Sequence, residues 1–149
     1  MPDLRELYQE LILEHSKNPR NFRVMEGADR SIEGFNPLCG DHFTVYLKME
    51  GDLIKDVSFQ GAGCAISKSS ASVMTQALKG KTRAQAEAMF NAFHDMVTGK
   101  STTNKTESLG KLAVFSGVSE FPLRVKCATL AWHAVHAALA GQQEPVTTE

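Results

Sequence analysis

Hydrophobic positions at the start of the chain recur with helical spacing. Leu4, Leu7, Tyr8, Leu11, Ile12 and His15 share one face. Asp3 with Glu6 three residues on forms a capping-box pair, and Asn18-Pro19 stops the helix. The segment 20–30 reads as a loop, and Ile32 to Phe35 as a short strand. The period then changes to two: Phe43, Val45, Leu47 and Met49 alternate with Thr44, Tyr46, Lys48 and Glu50. Gly51-Asp52 is a hairpin signal. The return strand from Leu53 to Gln60 places Leu53, Val57 and Phe59 on one face, with Lys55 as the exception. Gly61-Ala62-Gly63 ends it.

From Cys64 onward the pattern is helical again. Ile66, Val73, Met74, Ala77 and Leu78 line one side and Gly80 closes the element. Thr82 with Gln85 is a second capping box, opening a helix whose core face holds Met89, Phe90, Phe93 and Val97. A polar loop spans 98–106 and a short helix runs from about Glu107 to Phe115, broken by Ser116-Gly117. Pro122 suits the first turn of a last helix, which buries Val125, Leu130, Ala131, Ala134, Val135 and Ala138 and ends at Gly141. The tail 142–149 reads as frayed. Strands first and helices later predict an α+β fold, a small antiparallel three-stranded sheet packed against helices, in a single domain over 1–149.

Composition narrows the function classes. The chain has 149 residues, 42% hydrophobic and 22% charged, with a formal net charge of −1. No electrostatic argument favours nucleic acid or an acidic membrane. The charged opening Met1-Pro2-Asp3-Leu4-Arg5-Glu6 lacks an apolar signal region, and no apolar run is long enough to cross a bilayer. A cytoplasmic location is expected by elimination. In a reducing compartment, three cysteines point to metal binding or thiol chemistry before disulfides. The plain alternative is three buried, inert thiols.

Each cysteine falls where the backbone changes character. Cys39 precedes a strand, with Asp41 two residues on and Gly40 between them to let the backbone bend. Cys64 starts a helix, where unpaired N–H groups favour thiolate. Cys127 lies early in the last helix beside Arg124 and Lys126. Three thiolates and a carboxylate suit tetrahedral zinc, and equally iron bound to sulfide. Spacing alone does not choose among a metal site, a sulfur-handling site and inert thiols.

Other candidates are weaker. Strand alternation turns Asp41 and His42 to opposite faces, which disfavours a Cys39–His42 hydrolase and makes His42 a strand-surface residue. His133 and His136 are three apart on the last helix, without an obvious third ligand, and are read as solvated or partner-facing. His15 and His94 are read as helix-edge residues. Gly61 to Ser70 lacks the Gly-Lys-Ser ending of a phosphate loop. Trp132, Phe90, Phe93, Phe115 and Phe121 are read mainly as core.

Three stretches add a resemblance. Asn-Pro-Leu-Cys-Gly-Asp (36–41), Gly-Ala-Gly-Cys-Ala-Ile-Ser (61–67) and Arg-Val-Lys-Cys-Ala-Thr-Leu-Ala-Trp (124–132) resemble, in order, the three cysteine motifs of the IscU/NifU-type iron–sulfur cluster assembly proteins. The similarity begins at the helix 7–15 and extends to the last helix. The long interval between Cys64 and Cys127, and Lys126 where IscU-type scaffolds usually carry His, resemble the SufU branch. The resemblance implies a SufE/IscU-like fold. It implies Cys39, Asp41, Cys64 and Cys127 as zinc ligands, with Gly40, Arg124 and Lys126 in support and Cys39 as sulfur acceptor. It implies a zinc-dependent sulfurtransferase working with a SufS-type cysteine desulfurase and downstream Fe–S assembly proteins. The alternative under the same resemblance is a non-catalytic scaffold that assembles a [2Fe–2S] cluster on the same ligands.

Overall fold

The computed structural model describes residues 4–37, 40–98, 112, 115, 118, 122–141 and 145–147. Its elements are α1 (Leu4–Lys17), β1 (Arg30–Asn36), β2 (Asp41–Glu50), β3 (Leu53–Ala62), α2 (Ala65–Leu78), α3 (Arg83–Val97), α4 (Pro122–Leu139) and β4 (Val146–Thr147). The strands form one sheet in the order β3-β2-β1-β4. β1 with β2 and β2 with β3 are antiparallel, and β4 joins β1 in parallel. The sheet therefore has four strands and is mixed, where the sequence pattern predicts three antiparallel ones. Two residues carry too little alternation to signal a strand, and β4 exists only because the outer edge of β1 at Gly34 and Phe35 accepts it.

One face of the sheet is buried. Ile32 and Asn36 of β1, Asp41, Phe43, Val45 and Leu47 of β2, and Val57 and Phe59 of β3 point into it. In β3 the expected inward face is partly wrong. Lys48 pairs with Asp56 and Met49 with Ile54, so Lys55 is an extra, bulged residue. The bulge reverses the alternation before it, which buries Ile54 completely and leaves Leu53 on the outside.

α2 and α4 cover this face, α1 packs on α2, and α3 on α4. α4 is buried nearly all round, from Cys127 through Ala138, as expected of a helix at the centre of a core. It lies so near β1 that a Cβ on Gly34 would meet Leu130 Cδ1 at 3.2 Å. α2 is held to α4 by small polar side chains: Ser70 Oγ donates to the Ala128 carbonyl at 2.6 Å. Ser72 Oγ bonds His15 Nδ1 at 2.7 Å and accepts the Arg20 N–H at 2.8 Å. His15 is thus buried against α2, not at a helix edge, because a serine rather than solvent faces it. α3 begins with the capping box that the sequence announces, Thr82 with Gln85.

Leu112, Phe115 and Val118 are buried, with Phe93 stacked on Trp132 at 4.7 Å and edge-on to Phe115 at 6.0 Å. Asp3, Cys39, most of the loop and short helix expected over 98–115, Phe121 and most of the tail 142–149 lie outside the described residues, as do the side chains of Leu4, Leu7 and Tyr8. Among the described residues no helix is long and apolar enough to cross a membrane.

Candidate metal centre

The site is built at the end of the sheet where β1 finishes and β2 begins. Asn36 and Asp41 are directly paired there, and strand alternation turns both side chains to the helix-covered face. The connection between them is tight: the Gly40 N–H donates to the Asn36 carbonyl at 2.8 Å, and Gly40 has φ +73, which favours glycine. β3 runs back beside β2 and delivers Cys64 to the start of α2. α4, lying close over β1, delivers Cys127 from above.

Asp41, Cys64 and Cys127 converge: their ligand atoms all lie within 4.8 Å of one another. Asp41 and Cys127 are buried, each 2% exposed, and Cys64 is half-buried. Cys64 and Cys127 form no disulfide. Asp41 Oδ1 accepts the Cys64 N–H at 2.9 Å, and the Cys64 thiol lies 3.9 Å from Oδ2. Cys64 is also the N-cap of α2, with its sulfur accepting the Ser67 N–H at 3.5 Å. The Ser67 hydroxyl is 3.5 Å from the same sulfur. A hydrogen bond from Cys127, helped by the Ser67 N–H and hydroxyl, brings the Cys64 thiol down to about 5, against burial and the Asp41 charge, which push it up. As a thiol, Cys64 donates towards Asp41; as a thiolate, it accepts from Cys127 and Ser67.

The donor set fits a soft or borderline cation. Two thiolates on one tetrahedral zinc lie about 3.8 Å apart, so contraction by about an ångström brings the trio into range. One carboxylate and two thiolates leave a fourth position open. Cys39, the expected fourth ligand and acceptor, lies outside the described residues, between Pro37 and Gly40. Arg124 is exposed and Lys126 half-buried, and the Asp41 carboxylate is engaged instead by the Cys64 backbone.

The histidines lie elsewhere. His42 is half exposed on the opposite face of the sheet, stacked on Phe35 at 4.3 Å and 3.5 Å from Glu33. His133 and His136 turn towards α3, where Phe90 stacks on His136 at 4.6 Å and meets His133 edge-on at 5.3 Å. His136 Nε2 is 3.5 Å from Glu87. Burial, followed by the neighbouring His94 and His136, lowers the His133 pKa. Sequence reasoning did not single out Asn36 or Ser67. Ser67 was detectable, because it stands at the capping distance of three from Cys64; Asn36 stood in the first cysteine motif but was given no role of its own.

Known proteins resemble this chain over most of its length. A family model described as the NifU-like N terminal domain matches residues 7–128. The Bacillus subtilis (strain 168) protein named zinc-dependent sulfurtransferase SufU is 42% identical over 141 residues, covering 95% of each chain. The Streptococcus pyogenes serotype M1 protein named iron–sulfur cluster assembly scaffold protein IscU is 38% identical over 136 residues, covering 91% of this chain and 84% of that one. A crystal structure from Fervidobacterium islandicum AW-1, described as an iron–sulfur cluster assembly scaffold for the SUF system, superposes with a TM-score of 0.82 at 38% identity, over 91% of this chain and 98% of that one. With a match of this length and relatives aligned along most of their own sequences, the chain belongs to the NifU-like N-terminal domain family.

Proposed function

We propose that this chain, a single IscU/NifU-type domain, is a zinc-dependent sulfurtransferase of iron–sulfur cluster assembly. Its sulfur donor is a cysteine desulfurase of the SufS type, its receivers are downstream Fe–S assembly proteins, and its setting is cytoplasmic. The observation that carries the reading is the convergence of buried Asp41, half-buried Cys64 and buried Cys127. Its similarity to the B. subtilis protein named a zinc-dependent sulfurtransferase supports the same choice. The metal ligands in this reading are Cys39, Asp41, Cys64 and Cys127.

Zinc bound by these residues would keep the thiols deprotonated and cross-link the starts of β2, α2 and α4. The protein's own groups do the rest. Asp41 holds the Cys64 N–H, and Ser67 holds the Cys64 sulfur, so Cys64 and Cys127 are anchored by regular structure. Cys39, next to Gly40 in the sequence, is the ligand assigned to move in this reading. In the transfer, the Cys39 thiolate attacks the terminal sulfur of the desulfurase persulfide. A new S–S bond forms on Cys39, the S–S bond on the desulfurase breaks, and its electron pair leaves with the desulfurase thiolate.

Metal content and desulfurase stimulation, measured together on wild type and on each ligand variant, test this. Stoichiometric zinc that resists replacement by iron is expected. Cys39→Ala should remain folded and abolish stimulation; a Cys39→Ala protein that stimulates turnover as wild type does removes the acceptor assignment. The name of the S. pyogenes relative favours a second reading, a scaffold for a [2Fe–2S] cluster. Anaerobic reconstitution giving cluster absorption, and cluster transfer to an acceptor, would select it.

A further inference from the structure

We propose that Asn36 is a positioning residue for Cys127, one that keeps this sulfur as a fixed anchor of the metal site. The proposal rests on the metal-site reading above. Asn36 Nδ2 lies 3.7 Å from Cys127 Sγ and donates to it. Asn36 is wholly buried and Cys127 is 2% exposed, so the contact is shielded from water.

The position itself shows that an amide is specifically accommodated. Asn36 continues the inward-facing set of β1, after Ile32 and Gly34, against α4. An apolar side chain would satisfy that place by packing alone. Burying an amide costs about 1–3 kcal/mol unless its polar atoms are bonded, and the ligand sulfur is one acceptor that Nδ2 meets. A thiolate accepts such a bond more strongly than a thiol does.

Two consequences follow for the sulfur. The N–H draws negative charge from it, which makes Cys127 a poorer nucleophile and less able to compete with Cys39 for sulfane sulfur. It also fixes the direction of the Cys127 side chain, so that the sulfur meets the cation without searching. Ser67 plays the same part for Cys64 through its backbone N–H at 3.5 Å. Both helix-borne thiols are thus capped by donors from the protein, one from β1 and one from the first turn of α2.

The test compares Asn36→Asp, which keeps the shape and removes the donor, with Asn36→Ala and Cys127→Ser, all in the full chain. Zinc affinity is read by chelator competition, and the thiolate-to-metal charge-transfer band is read on the cobalt(II) protein. Circular dichroism of the metal-free proteins checks folding. Both Asn36 variants should bind zinc about 10–100-fold more weakly, the range for losing an outer partner of a ligand, and the band of Asn36→Ala should move to lower energy. Wild-type affinity and an unmoved band in Asn36→Ala overturn the proposal. A loss confined to Asn36→Asp overturns it too, since that is charge repulsion alone. Should neither variant fold, the wild-type protein loaded with spin-half cadmium decides: scalar coupling between the metal and the Asn36 amide proton through Cys127 supports the proposal, and its absence overturns it. Cys127→Ser separates the two levels. If it binds zinc as wild type does, the metal-site reading fails; if it loses zinc while the Asn36 variants do not, only the role of Asn36 fails.

Discussion

Gly61 is the residue on which the junction between sheet and site turns, and Gly61→Ala measures it. Gly61 pairs with Phe43, two residues from Asp41, and has φ +143. A Cβ there would stand 2.1 Å from the His42 carbonyl oxygen and 2.8 Å from the Phe43 Cα, both backbone atoms of β2. Neither can rotate away, so β2 and β3 must part where Asp41 and Cys64 are brought together. Positive-φ strain this far outside the left-handed helical region contributes about 1–3 kcal/mol. Opening the strands and loosening Phe43, which is 1% exposed, adds about 1–3 kcal/mol, as for other overpacked cores. The sum is a loss of about 2–6 kcal/mol, read from urea unfolding by linear extrapolation. Gly51→Ala is the control: it has φ +63 with nothing within 4 Å of the added Cβ, so only the strain of about 1–2 kcal/mol applies. Zinc affinity should fall in Gly61→Ala and hold in Gly51→Ala, because only the former moves Asp41 relative to the Cys64 N–H. Equal losses of stability in the two variants, with zinc affinity unchanged in both, would refute the steric argument.

Ser72→Ala takes one acceptor from the Arg20 N–H and one partner from buried His15, and should cost about 2–4 kcal/mol in urea unfolding; a change below about 0.5 kcal/mol would show that the tie between α1 and α2 is not energetic. Burial and the nearby His94 and His136 lower the His133 pKa in the folded protein, so the unfolded chain, with His near about 6.5, takes up its proton first. Stability from this group is complete above that value and declines as pH falls through it towards the lowered folded pKa. His133→Gln should therefore flatten the fall in melting temperature between about pH 7.5 and 5.5; an equally steep fall in the variant sinks the assignment.

The helices α2, α3 and α4 and the hairpin were legible because each has a local cause. Thr82 and Gln85 cap α3 through their own side chains, and the alternation from Phe43 to Leu47 marks β2 without help from the rest of the chain. Cys64 was placed correctly at the start of a helix because the glycines before it end a strand. Where a second element decides the outcome, sequence reasoning fell short. His15 looked like a helix edge because its partner Ser72 is 57 residues away. Leu53 was exchanged for Ile54 because a bulge at Lys55 reverses the alternation, and a bulge is fixed by pairing with β2. The fourth strand needed the free edge of β1.

The sequence by itself determined which atoms are available for chemistry: three thiols and the Asp41 carboxylate, in motifs that resemble those of a family. Only the tertiary structure decided that Asp41, Cys64 and Cys127 meet, and that Asn36 stands behind one sulfur and Ser67 behind another. Local periodicity fixes the direction of a side chain relative to its own strand or helix. Distances between elements depend on how closely α4 can approach β1 and how tightly β3 lies against β2, and those are set by packing across the whole core.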